Sequence, residues 1–162
     1  MTVPEFSRPI EAMRLGSEAA IYKITATAKE RMALSTRFNL IALERFEAEV
    51  RLARLSGGLI HLTARFLAEP VQTCVVTLDP VPSRIEERFT LLYGDQPEVP
   101  GENDDLIEPL IAGRIDIGEA VAQQLSLSLD PFPRSAAART NADIELQPPS
   151  PFAELAKPRK KR

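Results

Sequence analysis

Two side chains of the types that most often perform covalent or acid–base chemistry occur once each in this sequence. Cys74 is the only cysteine and His61 is the only histidine. A nucleophilic thiol needs a base or a helix N-terminus that lowers its pKa, and the residue pattern places His61 on the outward face of a different strand. The pattern therefore favours a buried, inert Cys74 and a surface His61. It predicts no catalytic residue, no cofactor and no enzymatic activity.

Two pairs of polar residues, each with a carboxylate, resemble the pairs of acidic groups that perform acid–base chemistry. Thr27 and Glu30 stand three residues apart, as do Asp116 and Glu119. This is also the spacing of a capping box, in which the first side chain accepts from the backbone and the second reaches back. Helix capping explains both pairs without chemistry.

The charge is distributed unevenly along the chain. The net charge is −3, and residues 1–156 hold 15 basic and 23 acidic side chains. An acidic body repels phosphate at long range, so the sequence predicts a basic protein partner for the folded domain rather than RNA. The last six residues contain five basic side chains, which are either a solvated end or a contact with RNA. These are Lys157, Arg159, Lys160, Lys161 and Arg162.

Residues 94–105 contain glycine, proline and acidic residues without periodicity, which predicts an acidic loop. Its function is either that of a solvated connection or that of a partner-binding surface. The candidate partner-binding residues are Glu98, Glu102, Asp104 and Asp105.

Residues 45–93 are predicted to form four consecutive strands at the centre of the fold. Apolar and polar residues alternate over 46–53 and 60–66, as in strands with one buried face, and Gly57-Gly58 fits a tight hairpin turn. A break is predicted at Glu69-Pro70, because proline cannot donate to a ladder. Two further strands are predicted over 71–78 and 85–91, separated by a rigid proline turn.

The remaining elements are shorter, and two of them are helical. Strands are predicted over 5–14, 19–25 and 106–110. One helix is predicted over 28–38, with Leu34, Phe38 and Ile41 on its apolar face and Asn39 as a left-handed cap. A second helix begins at Asp116 and ends before Asp130-Pro131, with Ile117, Val121 and Leu125 on one face.

Together these elements predict an α+β domain over residues 1–133. In it, a mostly antiparallel twisted sheet or incomplete β-barrel carries two helices. Residues 134–162 are predicted to form a disordered tail. Within that tail, Phe152 and Leu155 form either a candidate docking motif of one helical turn or a segment that packs on its own domain.

Composition limits the cellular setting. At 162 residues with 44% hydrophobic residues, one domain with a real core is expected. No run of 18 apolar residues predicts a membrane span, and the first residues do not have the pattern of a signal peptide. A single cysteine excludes an internal disulfide and a cysteine-based metal cluster. We expect a reducing, cytoplasmic location.

Five segments in order resemble the large ribosomal RNA subunit accumulation protein family, also called YceD, in its alphaproteobacterial form. The resemblance spans nearly the whole chain. The segments are EFSRPI, ATAKERMALSTRFNL, AEPVQTCVVTLDPV, RIDIGEAVAQQLSLSLDPFPR and SPFAELAKPRK.

This resemblance implies a bacterial, non-enzymatic factor that supports accumulation of 23S ribosomal RNA and assembly of the large ribosomal subunit. The implied partner is a ribosomal protein or an assembly factor, with RNA contacted through the basic tail. Other family members have a CxxC-like pair near Cys74, but a structural zinc needs four ligands, and Cys74 and His61 alone cannot supply them. No metal is therefore expected. The alternative function is a regulatory interaction module for a metabolic enzyme, with an indirect ribosomal effect.

Overall fold

The computed structural model of the chain describes residues 4–94 and 107–138. This part contains eight strands, the two α-helices given below and helical residues at 136–138, with short 3-10 helices at Ala12–Arg14 and Ser56–Gly58. The strands are β1 (Pro9–Glu11), β2 (Ala20–Thr25), β3 (Ala42–Arg54), β4 (Ile60–Thr73), β5 (Pro80–Pro82), β6 (Ile85–Gly94), β7 (Ile107–Pro109) and β8 (Arg114–Asp116). The α-helices are α1 (Ala28–Arg37) and α2 (Ile117–Ser128).

Six of the strands form one sheet in the order β2-β3-β4-β6-β7, and β5 pairs with the end of β4. Every pair in this sheet is antiparallel except β6–β7. Strands β1 and β8 form a separate antiparallel pair. The predicted α+β fold with a mostly antiparallel sheet is confirmed, and the sheet is not closed into a barrel because β2 and β7 remain its two ends.

The β3–β4 hairpin is the longest pairing in the structure. Its register runs from Ala42↔Val71 to Arg54↔Ile60. The predicted alternation is confirmed, because every second side chain is buried over residues 46–52 and 60–70. At the hairpin end, Gly57 and Gly58 have φ values of 77° and 81°, as predicted for a turn that needs left-handed backbone.

Both helices pack on the same face of this sheet. Leu34 of α1 is fully buried, and Ile117, Val121 and Leu125 of α2 are at most 1% exposed. The predicted apolar face of α2 is therefore confirmed. The prediction for Ile41 is wrong: its side chain is 53% exposed, because α1 has already ended at Arg37 and Asn39 has turned the chain at φ 54°.

The predicted strand break at Pro70 is also wrong, because β4 continues through it to Thr73. The Val71 carbonyl accepts from Ile41 on the β3 side, whereas the Pro70 carbonyl accepts from Ser83 on the opposite side. The Pro70 nitrogen therefore also faces away from β3. It lies at the junction between the β5 pairing, which begins at Val71, and the β6 pairing, which ends at Ala68. A missing N–H donor breaks no ladder bond at this position.

The N-terminal segment is bound to both helices through one carboxylate and one arginine. Asp116 caps α2 by accepting from the Gly118 and Glu119 amides, and it also accepts from the Ser7 hydroxyl at 2.5 Å and the Arg8 amide at 2.7 Å. Arg8 in turn pairs with Glu30 of α1 at 2.7 Å. The capping residue of α2 thereby fixes a segment that lies 108 positions away in sequence.

The two predicted capping boxes have different outcomes. The box at Thr27 and Glu30 is confirmed in full. The second box is confirmed only for Asp116, because the Glu119 carboxylate instead forms a bidentate pair with Arg37 of α1 at 2.7 and 2.9 Å. An arginine fork satisfies both carboxylate oxygens, so Glu119 joins two helices rather than capping one. In the described ranges, no helix has the length and apolar composition needed to cross a membrane.

We expect Gly118→Ala to destabilise the protein even though alanine favours helices. A Cβ at this position would lie 3.1 Å from the Arg8 nitrogen and well inside contact distance of the Phe6 carbonyl oxygen. Overpacking of this kind costs about 1–3 kcal/mol, more than the ~1 kcal/mol that alanine gains over glycine in a helix. Urea unfolding measures the change. Gly16→Ala is the control, since nothing lies within 4 Å of its Cβ, and a Gly118→Ala variant as stable as this control would contradict the close approach.

The Arg8–Glu30 pair predicts a specific acid sensitivity. Hydrogen bonds from Arg8 lower the pKa of Glu30, and with the Thr27 donors they outweigh burial, so that the pKa falls from 4.5 to about 2. A carboxyl whose pKa is lower in the folded state stabilises the fold above its unfolded pKa and loses that contribution as the pH falls through the folded value. Between pH 4.5 and 2, wild type should lose about 1 kcal/mol more than Glu30→Gln, a figure reduced for solvent screening. Parallel unfolding profiles for the two proteins over this range would contradict the assignment.

Candidate functional site

None of the eleven partner-binding residues predicted from the sequence falls within the described ranges. The four acidic residues between Glu98 and Asp105 lie in 95–106, and the seven tail residues from Phe152 to Arg162 lie in 139–162. They therefore stay predictions. Two other surfaces lie within the described residues, and neither is predicted as a site from the sequence.

The folded part of the chain is close to neutral. Residues 4–94 and 107–138 contain 14 basic and 15 acidic side chains, whereas 95–106 contain five acidic side chains and no basic one. The acidic excess inferred for residues 1–156 is thus concentrated in a short part of the sequence. The argument that a uniformly acidic body repels phosphate does not apply to the described residues.

The first candidate surface is the turn that follows β4, residues 74–78, here called the Cys74 turn. The Cys74 amide donates to the Asp79 carbonyl at 2.8 Å, and the Leu78 amide donates to the Cys74 carbonyl at 3.0 Å. Leu78 adopts φ 63°, a left-handed conformation that is unfavourable for a bulky residue. The strand predicted over 71–78 therefore ends at Thr73, and its second half is this turn.

The Cys74 sulfur organises the turn from inside. It is fully buried and accepts from the Thr77 amide at 3.4 Å and from the Ser135 amide at 3.3 Å. Burial raises the pKa of the thiol, but these amide donors and the Thr77 hydroxyl act in the opposite direction and lower the pKa to about 6. The predicted burial of Cys74 is confirmed. His61 lies at the other end of β4, about 40 Å away at the rise of an extended strand, so the two side chains cannot act together.

The segment after α2 is fixed to the Cys74 turn. Val75 donates its amide to the Pro133 carbonyl at 2.9 Å, and the Thr77 and Ser135 hydroxyls lie 3.1 Å apart. Ala138 is 2% exposed. Residues 134–138, which the sequence assigns to the disordered tail, thus pack on the domain. The physical reason is that the buried sulfur supplies an acceptor for Ser135 that the local sequence does not reveal.

Four large apolar side chains are exposed on the Cys74 turn and the segment bonded to it, and we call them the apolar surface. Each is at least half exposed. They are Val75 (50%), Val76 (57%), Leu78 (74%) and Phe132 (71%). Single exposed apolar residues are common, but grouped ones mark interaction sites more often. The turn therefore has the composition of a contact surface on a rigid support.

The second candidate surface is the outward face of the sheet, opposite the helices. Neighbouring strands place rows of polar side chains across it, including Lys23↔Glu49↔Arg65↔Arg88. A depression of about 540 Å³ occupies part of this face. The charged residues that line it are Lys23, Arg45, Glu47, Glu49, Arg65, Arg84 and Glu86. Within the described ranges, no group of three or more His, Cys, Asp or Glu side chains is arranged to hold a metal ion.

Comparison with known proteins gives one match. A family model described as large ribosomal RNA subunit accumulation protein YceD matches residues 62–157, more than half of the chain. The matched range includes the Cys74 turn, β6 and α2. No curated protein and no solved structure matches the chain.

We expect the sulfur of Cys74 to hold residues 134–138 in place. Cys74→Ser keeps a hydrogen-bond acceptor at this position, whereas Cys74→Val fills the space without one and leaves two partly buried amides without this acceptor. The valine variant should melt at a lower temperature than the serine variant, and its Thr77 and Ser135 amides should exchange with solvent several-fold faster. Amide exchange followed by NMR makes the comparison. Wild-type protection of both amides in Cys74→Val would show that the sulfur is merely a filler.

Proposed function

The chain belongs to the large ribosomal RNA subunit accumulation protein family, and on that premise we propose that it supports 23S ribosomal RNA accumulation and large-subunit assembly by binding a ribosomal protein or an assembly factor. In this proposal it acts without catalysis. The absence of shared geometry between Cys74 and His61 is consistent with that role, since these are the side chains that a nucleophilic mechanism would join.

The observation that carries the proposal is the exposed apolar surface on the Cys74 turn. The left-handed Leu78 costs on the order of 1–2 kcal/mol, and Leu78 is nonetheless 74% exposed rather than packed in the core. The left-handed backbone at Leu78 is therefore not explained by burial of the Leu78 side chain. The turn is strained, it exposes apolar side chains, and hydrogen bonds to a buried sulfur hold it in place. These are features of a docking element.

The charges near this surface favour a basic partner. Asp79 follows Leu78 directly, and Asp130 lies two residues before Phe132, where its carboxylate accepts from the Phe132 amide at 2.9 Å. Both aspartates are exposed. Arg134, two residues after Phe132, is also exposed, so these three side chains carry one net negative charge. Apolar side chains next to exposed carboxylates are complementary to a partner that combines apolar and basic residues. Such a partner agrees with a ribosomal protein, whose natural ligand is a polyanion.

We expect Val76→Glu with Phe132→Glu to abolish function while leaving the fold intact. Both side chains are more than half exposed, so their replacement should change the free energy of unfolding by less than about 0.5 kcal/mol each. In a strain that lacks the gene, ribosome profiles should show reduced large subunits, which the wild-type chain restores and the double variant does not. The matched control is Met13→Glu with Ile111→Glu, which adds the same charge at side chains that are 93% and 76% exposed.

Two outcomes of this experiment would reject parts of the proposal. Normal profiles in the deletion strain would reject the assembly role itself. Full rescue by Val76→Glu with Phe132→Glu would reject the apolar surface as the docking site. A chain that ends at Ala138 keeps the Ser135 clamp intact, so its failure to rescue would assign an additional role to the sequence that contains Phe152 and Leu155.

A further inference from the structure

Three arginines on three adjacent strands share the outward face of the sheet. Arg65 of β4 lies directly opposite Arg88 of β6, and Arg51 of β3 lies directly opposite Thr63 of β4. Because Thr63 and Arg65 are two residues apart on one strand, Arg51 is the diagonal neighbour of Arg65. Directly opposite residues have Cβ atoms about 5 Å apart, and diagonal ones about 7 Å. All three arginines are exposed, and we call them the arginine cluster.

Two arginines of the cluster, Arg65 and Arg88, lie directly opposite each other across the β4–β6 ladder. Like charges placed directly opposite each other in a sheet destabilise the pairing. Arg65 forms an ion pair with Glu86, and it also lies directly opposite Glu49, which pairs with Lys23. Within residues 4–94 and 107–138, no ion pair or hydrogen bond joins Arg51 or Arg88 to another side chain. Arg51 and Arg88 therefore present guanidinium donors that no other side chain of the described fold uses.

Elsewhere on the outward face, the basic side chains have acidic partners, so the cluster differs from its surroundings. Lys23 pairs with Glu49 at 3.5 Å, Arg45 pairs with Glu47 at 2.6 Å, and Arg84 lies within 4 Å of two glutamates. The other basic side chains on this face thus have acidic neighbours at ion-pair distance. Only at the cluster does the register bring three cations together.

Two threonine hydroxyls lie beside the arginine cluster. Thr63 lies directly opposite both Arg51 on one side and Thr90 on the other. Arginine forks and threonine hydroxyls are the side chains that proteins use most for contacts with phosphate oxygens. In the register, the outward positions of β2, β3, β4 and β6 contain no phenylalanine or tyrosine, so the face lacks the aromatic platforms on which bases stack. The chemistry favours the phosphate backbone over the bases.

We propose that Arg51, Arg65 and Arg88, with Thr63 and Thr90, form a phosphate-binding surface for the backbone of RNA. The choice of RNA among polyanions rests on the proposed function, whereas the phosphate-binding chemistry rests on the register alone. The described residues are close to neutral, so the acidic excess in the sequence lies outside the strands that carry the cluster. Binding through three arginines neutralises about three phosphates, which gives a slope of about −2 in log K against log salt for single-stranded RNA.

The test is the affinity of the full chain for a labelled single-stranded RNA of roughly 12 nucleotides, measured by fluorescence anisotropy across a salt series. Arg51→Gln with Arg88→Gln should weaken binding at low salt by about tenfold or more and make the salt slope shallower by about 1.4. The control is Arg14→Gln with Arg114→Gln. It removes the same charge from exposed side chains whose acidic partner is Glu11, and it should leave both quantities near the wild-type values.

A separate variant distinguishes the cluster from the basic end of the chain. It replaces Lys157, Arg159, Lys160, Lys161 and Arg162 by glutamine. Loss of binding in this variant alone, with wild-type affinity in Arg51→Gln with Arg88→Gln, overturns the inference. Equal losses in the cluster variant and the Arg14/Arg114 control also overturn it, because they show a response to net charge only.

The stability of the cluster variant provides a second readout. Removing like charges should leave its melting temperature unchanged or raise it, so lost RNA binding is not explained by unfolding. The RNA affinity of the cluster variant is measured independently of the ribosome profile. A normal profile in the deletion strain, together with impaired RNA binding by the cluster variant, supports the phosphate surface and rejects the assembly role. A reduced profile, together with unimpaired RNA binding by the cluster variant, supports the assembly role and rejects the phosphate surface.

Discussion

The long antiparallel pairing of β3 with β4 is the constraint on which the rest of the structure depends. It joins residues 42–54 to residues 60–71 with a single irregularity between Leu43 and Arg45. Side chains alternate across a strand with a period of two, so one register determines both faces of the sheet. On the inner face it brings Phe46, Val50 and Phe66 into the core. On the outer face the same register gives Arg51 and Arg65 their diagonal positions.

The residue pattern predicted an element correctly where the residues that determine it lie close together in sequence. The alternation of β3, the Gly57-Gly58 hairpin and the capping box of α1 were predicted because each depends on residues a few positions apart. Pro70 was misinterpreted for the opposite reason. A proline is incompatible with a strand only if its nitrogen faces a ladder partner, and that orientation is determined by Ser83 and Ile41, which are 13 and 29 positions away.

The candidate surfaces were missed for the same physical reason. Val75, Val76 and Leu78 have the composition of a buried strand, and only the acceptor at Cys74 and its bond to Ser135 explain why they form an exposed turn. Arg51, Arg65 and Arg88 are 14 to 37 positions apart in sequence and become a cluster only when the register is known. Glu119 was assigned to a cap because its partner, Arg37, is 82 positions away.

Strand β4 also determines how the two surfaces are placed relative to each other. Arg65 lies near its middle and points outward, while the Cys74 turn lies beyond its last residue, Thr73. Nine residues separate Arg65 from Cys74, about 30 Å at the rise of an extended strand. A partner on the turn and a phosphate chain on the sheet can therefore be bound at the same time without overlap. Because a strand paired on both sides resists bending, the distance between them is set by the fold rather than by either ligand. The two proposed ligands, a basic polypeptide and RNA, would therefore be held at a separation that β4 determines.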